Sequence, residues 1–139
     1  MSEHDEQAAL FEWAALMSNR PGFEPLRFLF AIPNGGHRNP VTASKLKAEG
    51  VKPGVPDVCL PAPRNAPDGT IYHGLFVELK VKPNRTTPAQ VDWLAYLNEA
   101  GYLAVVCYSW QEAARVITEY LDANEEAEDE AHFAADHLR

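Results

Sequence analysis

The chain has little of several things that would narrow its function at once. Only two of its 139 residues are cysteines, Cys59 and Cys107. They lack the partners and spacing of a zinc site, and both fall in apolar runs of strand character. Two buried free thiols in a reducing compartment are the expectation. No apolar run approaches the roughly 18 residues needed to cross a bilayer, and the opening residues are acidic rather than a basic leader. A cytoplasmic protein without membrane contact is therefore expected. Bases are scarce too: 12 against 20 acids gives a net charge of −8, which at first argues against a polyanionic partner. Internal repeats and low-complexity linkers are missing before the last stretch, so the length suits one domain with an ordinary core.

The charge that is present is distributed unevenly. From Asp122 to Arg139 there are seven acids and one base, a local balance of −6. Between Arg27 and Arg85 nine bases face four acids, a local balance of +5. The chain thus divides into a folded part over 1–121 and an acidic tail over 122–139. The tail is expected to be helical or disordered, and solubility is its plainest use. The positive centre has the sign that phosphate contact requires.

Local signals order the folded part. Ser2-Glu3-His4-Asp5 resembles a capping box and opens a helix to about Asn19, with Leu10, Trp13, Ala14 and Met17 on one face. Glu3, Glu6 and Gln7 lie along that same stripe, where acids in a first turn also suit the helix dipole. Arg20-Pro21-Gly22 breaks the helix, and Leu26 to Ile32 is expected to be a strand. Pro33-Asn34-Gly35-Gly36 turns the chain and lets backbone come close to a phosphate, with Arg38 just beyond. Asn39-Pro40 starts a helix ending near Glu49, with Lys45 and Lys47 as either a solvated face or phosphate contacts.

Two apolar runs follow. Asp57 heads Val58-Cys59-Leu60, and Gly74 marks entry to Leu75-Phe76-Val77-Glu78-Leu79-Lys80. Period-two alternation puts Phe76, Glu78 and Lys80 on one face and Ile71, His73, Leu75, Val77, Leu79 and Val81 on the other. Pro63, Pro67 and Asp68-Gly69 suit a loose antiparallel hairpin between the runs, which brings Asp57 beside Glu78. Two carboxylates and a lysine at the mouth of a sheet form a hard-cation site with a proton-handling group attached. The plainer account is a buried ion pair, but burying three charges for structure alone is poorly rewarded. Lys82 and Arg85 sit in a basic loop beyond. Thr87-Pro88-Ala89-Gln90 is a second capping box, whose helix carries Val91, Leu94 and Leu97 as a core stripe, with Trp93 and Tyr96 as core or subunit contacts. Tyr102 to Tyr108 is a further strand, and Ser109-Trp110-Gln111-Glu112 caps a last helix to about Leu121.

Pro56-Asp57 followed by Glu78-x-Lys80 resembles the PD-(D/E)xK nuclease signature. The ordered context is similar to the virus-type replication-repair nuclease (VRR-NUC) family from about Glu3 to about Leu121. That context is Pro33-Asn34-Gly35-Gly36-x-Arg38, Lys45-Leu46-Lys47-x-x-Gly50, Gly54-Val55-Pro56-Asp57, Gly74 to Lys80, Gln90-x-x-Trp93-Leu94 and Gly101-Tyr102. The resemblance implies an α/β, restriction-endonuclease-like fold, a central mixed sheet flanked by helices. It implies a metal-dependent, structure-selective DNA endonuclease, akin to Holliday-junction resolvases of phage or prophage replication and repair. Asp57, Glu78 and the Leu79 carbonyl would hold Mg²⁺ or Mn²⁺, with Lys80 acting electrostatically. The implied first-helix acid is Glu3, four residues before Gln7, with Glu6 as the fallback; Gln90 becomes a residue of the site. Asn34, Arg38, Lys45, Lys82 and Arg85 become contacts to branched DNA. A homodimer supplies two active sites for two symmetry-related strands; no nucleotide cofactor is expected. Two other classes stay open. A non-catalytic DNA-binding module binds tightly without metal and is indifferent to Lys80→Ala. A protein-interaction subunit of a replication complex loses its partner on truncation after Leu121.

Overall fold

The computed structural model describes residues 1–33 and 39–122. Helix α1 spans Glu3–Met17 and opens as its sequence requires: the Ser2 hydroxyl accepts from the Asp5 N–H, and the Asp5 carboxylate accepts from the Ser2 N–H. The expected strand over Leu26–Ile32 is a correction. Glu24–Phe28 is a 3₁₀ helix with proline in its first turn, and strand β1 is only Phe30–Ala31. Pro25 presets a helical φ, and the turn closes through Leu26 N–H to Phe23 O at 3.0 Å, leaving only two residues to pair.

Helix α2 (Pro40–Ala48) is capped by the Asn39 side chain. Strands β2 (Val58–Leu60) and β5 (Leu75–Leu79) pair antiparallel, with Val58 opposite Val77 and Leu60 opposite Leu75. Between them a two-stranded ribbon, β3 (Arg64–Asn65) and β4 (Ile71–Tyr72), fills the loose hairpin. Ile71 therefore does not share the face of Leu75 and Val77 as expected. It lies on the ribbon, 61% exposed, because Gly74 separates the two strands. Helix α3 (Pro88–Glu99) crosses to β6 (Leu103–Cys107), which runs parallel to β5, and α4 (Trp110–Asp122) closes the described chain. The result is a four-stranded mixed sheet in the order β1-β2-β5-β6, flanked by helices, as a restriction-endonuclease-like fold requires.

The core lies between one sheet face and the pair α1 and α4. Leu10, Val58, Leu60, Leu75, Val77, Leu79, Cys107 and Ile117 are buried there, and the Tyr120 hydroxyl donates to the Ala62 carbonyl at 2.6 Å. Both cysteines are buried free thiols. On the other side α3 rests on β6 along a narrower strip. Leu97 is buried there, but Val91, expected in the core, is 51% exposed, because α3 meets the sheet along one edge only. No helix among the described residues is long and apolar enough to cross a membrane.

The loop before β2 touches the first turn of α3 at Gly54, whose φ is +89°. A Cβ there would stand 2.6 Å from the Ala89 carbonyl carbon and 2.8 Å from its oxygen. Gly50 has φ +96° but nothing within 4 Å of the corresponding position. Gly50→Ala should therefore cost only the backbone strain of about 1–3 kcal/mol. Gly54→Ala should cost clearly more, read as a lower urea midpoint at unchanged slope. Equal losses at the two positions would contradict the packing described.

Candidate active site

The register of β2 on β5 carries one step further, placing Asp57 across from Glu78 on the face opposite the main core. Asp57 is positioned by the backbone and Glu78 by a side chain. Asp57 Oδ2 accepts from the Leu79 N–H at 2.7 Å. Glu78 is 2% exposed and Lys80 8%, so both charged residues of the strand end are buried. Lys80 Nζ lies 4.0 Å from Glu78 Oε1 and 4.0 Å from Glu3 Oε1, between the sheet carboxylate and the first turn of α1.

Gln90 takes part in two structures at once. Its Oε1 accepts from the Thr87 N–H at 2.8 Å, completing the capping box of α3. Its Nε2 donates to Glu78 Oε1 at 2.9 Å. The capping role and the site role thus coexist in one carboxamide. Glu6, the fallback first-helix acid, is placed elsewhere: its Oε2 accepts from the Trp110 N–H at 2.6 Å and caps α4. Of the two candidates, Glu3 is the one that meets Lys80.

Lys45 and Lys47 are exposed in the last turn of α2, and Lys82 and Arg85 are exposed on the loop after β5, the Lys82 amine lying 5.7 Å from the Tyr108 ring centre. Asn34 and Arg38, and the acidic tail beyond Asp122, lie outside the described residues. Trp93 is half-buried and meets Tyr96 edge-on at 6.4 Å, while Tyr96 is 62% exposed. Two roles were not foreseen from sequence: Glu6 as a cap and Asn98, whose amide both donates to and accepts from the Ala104 backbone. Nothing in the local spacing of either residue announces a partner on another element.

The electrostatics follow from burial. Burial pushes Glu78 up from 4.5 to about 8, the Asp57 charge adds to the rise, and Lys80 opposes it. Asp57 is also raised by burial, against the Leu79 N–H, which favours its charge. The interaction between the two carboxyls favours the proton on Glu78 and the charge on Asp57.

A divalent cation fits this donor set on one observation in particular: Glu78 Oε2 is buried and has no hydrogen-bond partner. An unpartnered buried carboxylate oxygen is costly unless something cationic faces it. Among the described residues no three His, Cys, Asp or Glu side chains converge into a ready-made metal cage. A two-carboxylate set of this kind suits an oxygen-loving ion such as Mg²⁺, which keeps waters and takes substrate phosphate as ligands.

Without metal, the raised Glu78 has a signed consequence. The folded state holds its proton between about pH 4.5 and about pH 8 while the unfolded chain has lost it. Stability is therefore present at the acid end of that window and falls as pH rises through it. Chemical denaturation of the metal-free protein should show this decline, and Glu78→Gln should flatten it and be the more stable form at the alkaline end. An unchanged slope in Glu78→Gln would refute the assignment.

The VRR-NUC domain model matches residues 26–111, a stretch that contains Asp57, Glu78, Lys80 and Gln90 and begins after Glu3. A solved structure described as a VRR_NUC domain protein superposes with a TM-score of 0.69 at 29% identity, covering 89% of this chain and 91% of that one. Comparison with the curated proteins returns no match. The sheet, the order of elements and the matched stretch agree: the chain belongs to the VRR-NUC domain family, a family of nucleases.

Proposed function

We propose that the chain is a metal-dependent DNA endonuclease that hydrolyses phosphodiester bonds in branched or otherwise structured DNA. The observation that supports it is the buried carboxylate pair Asp57–Glu78, with Glu78 Oε2 lacking a protein partner and the Lys80 amine 4.0 Å from Oε1. Asp57 and Glu78 would hold Mg²⁺ or Mn²⁺, with the Leu79 carbonyl as a further oxygen. The bound ion supplies a more acidic water and positive charge toward the scissile phosphate. The remaining roles belong to the chain. Lys80 offers a positive group close to the carboxylates, where charge develops on the phosphate in the transition state. Gln90 holds Glu78 in place, and Glu3 helps hold Lys80. The exposed Lys45, Lys82 and Arg85 give sequence-independent phosphate contacts, in keeping with recognition of DNA shape.

Metal ligands and an electrostatic group should differ in what their loss does. Asp57→Ala and Glu78→Ala should abolish cleavage of labelled junction, flap, nicked and linear DNAs in Mg²⁺ or Mn²⁺. Lys80→Ala should retain binding and lose roughly 10²–10³-fold in rate. Cleavage surviving in Asp57→Ala would exclude this site, and wild-type protein that leaves every substrate intact would exclude the reaction.

We further propose a homodimer acting in replication or repair within a bacterial cell or phage-infected host. Cutting two symmetry-related strands calls for two equivalent sites, which a two-fold dimer provides. Sedimentation should then return twice the 15.4 kDa mass of one chain. A monomer at all concentrations would rule out paired cutting by a preformed dimer.

A further inference from the structure

Thr87 is exposed at the start of α3, but its backbone and hydroxyl are tied to the active site. Its N–H donates to Gln90 Oε1 at 2.8 Å, and its Oγ1 accepts from the Gln90 N–H at 3.2 Å. The other end of the same carboxamide donates to Glu78 Oε1 at 2.9 Å. A carboxamide has one accepting end and one donating end. A backbone N–H only donates, so the end facing Thr87 must be oxygen and the end facing Glu78 must be the NH₂ group. Flipping the amide would set NH₂ against N–H and oxygen against carboxylate, losing both bonds. The Thr87 N–H thus fixes the polarity of Gln90, and the Thr87 hydroxyl, by accepting from the Gln90 backbone N–H, fixes the turn that brings that N–H and the carboxamide together.

The consequence reaches the reacting centre. Oε1 of Glu78 receives the amide and lies 4.0 Å from the Lys80 amine, whereas Oε2 has no partner. The first turn of α3 is itself held against the loop leading to Asp57, since Gly54 packs onto Ala89 with no room for a side chain. The cap, the amide and both carboxylates therefore form one connected unit.

We infer that Thr87 is a positioning residue of the site: acting through Gln90, it orients the Glu78 carboxylate so that Oε2 is the oxygen presented to a divalent cation. The cation half of this statement rests on the metal-dependent reading above; the orienting half does not.

A double-mutant cycle on Mn²⁺ affinity, measured by calorimetry on the full chain, separates this role from helix capping alone. Gln90→Leu should weaken Mn²⁺ binding roughly tenfold or more, as loss of a ligand-orienting partner does. Thr87→Ala should weaken it several-fold, Thr87→Ser should restore it, and Thr87→Ala should add nothing in the Gln90→Leu background. A Thr87→Ala that melts earlier but binds Mn²⁺ like wild type overturns the inference, as does an equal Thr87→Ala loss of affinity in both backgrounds. The metal-free protein gives a second readout, the Gln90 side-chain NH₂ resonances. They should sit away from free-glutamine positions in wild type and Thr87→Ser, and move toward them in Thr87→Ala. Resonances indifferent to Thr87→Ala overturn the orienting role. A response to Thr87→Ala in a protein that takes up no Mn²⁺ at all supports the orienting role and sinks the metal reading instead.

Discussion

The structure depends on one pairing, β2 against β5, which sets a carboxylate across from a carboxylate. Like charges directly opposed on a sheet repel, and burial makes each of them costlier. The fold reduces that cost locally: the Leu79 N–H serves Asp57, the Gln90 amide serves one oxygen of Glu78, and Lys80 stands close by. It stops one group short, at Glu78 Oε2. The apolar residues of the same strands, Val58, Leu60, Leu75, Val77 and Leu79, are buried in the main core and hold the register that opposes the acids. One face of the sheet thus stabilises an arrangement that the other face would not adopt alone, as functional sites commonly require.

Helix α3 links this centre to the rest of the molecule. Its first turn is fixed by Gly54 on one side and by Gln90 to Glu78 on the other. Its last turn is fixed by Asn98, whose amide oxygen accepts from the Ala104 N–H at 3.0 Å while its nitrogen donates to the Ala104 carbonyl at 3.1 Å. The helix buries little apolar surface, with Leu97 its one buried residue, so polar anchors at both ends carry its placement. A helix held mainly by packing could slide by a fraction of a turn. One held by directional bonds at both ends keeps its first turn, and with it Glu78, in a single position.

How much of this was legible in the sequence depended on the range of each interaction. Capping boxes at Ser2 and Thr87 and the cap at Asn39 involve residues three apart, so spacing alone announced them. The opposition of Asp57 and Glu78 was legible because period-two alternation and a hairpin leave few registers open. The strand expected over Leu26–Ile32 failed because an apolar run cannot be told from a short helical turn by hydrophobicity, and Pro25 favoured the turn. Val91 failed for a different reason. Its helical phase was right for an inward stripe, but the breadth of that stripe depends on how far the helix rolls onto the sheet, which no local pattern encodes. Contacts such as Glu6 to Trp110, 104 residues apart, leave no trace in local spacing at all.

That long-range contact explains why the first helix presents Glu3 rather than Glu6 to the site. The two acids are three positions apart, so at about 100° per residue they project roughly 60° apart around α1 and one turn apart along it. They share one stripe of α1 but stand at different heights along it. Helix α4 begins with backbone N–H groups that need acceptors, and an acid there also meets the positive end of the helix dipole. Glu6 answers that need at Trp110 and, in doing so, sets the rotation of α1 against α4, with Leu10 and Ala14 buried between them. Once that rotation is set, Glu3 is carried to the sheet end, where its Oε1 lies 4.0 Å from Lys80. Lys80 Nζ then lies at the same 4.0 Å from an oxygen of Glu3 and from one of Glu78, an ion-pair distance to both and a hydrogen bond to neither. The amine faces Oε1 of Glu78, and Oε2 is left buried without a protein partner.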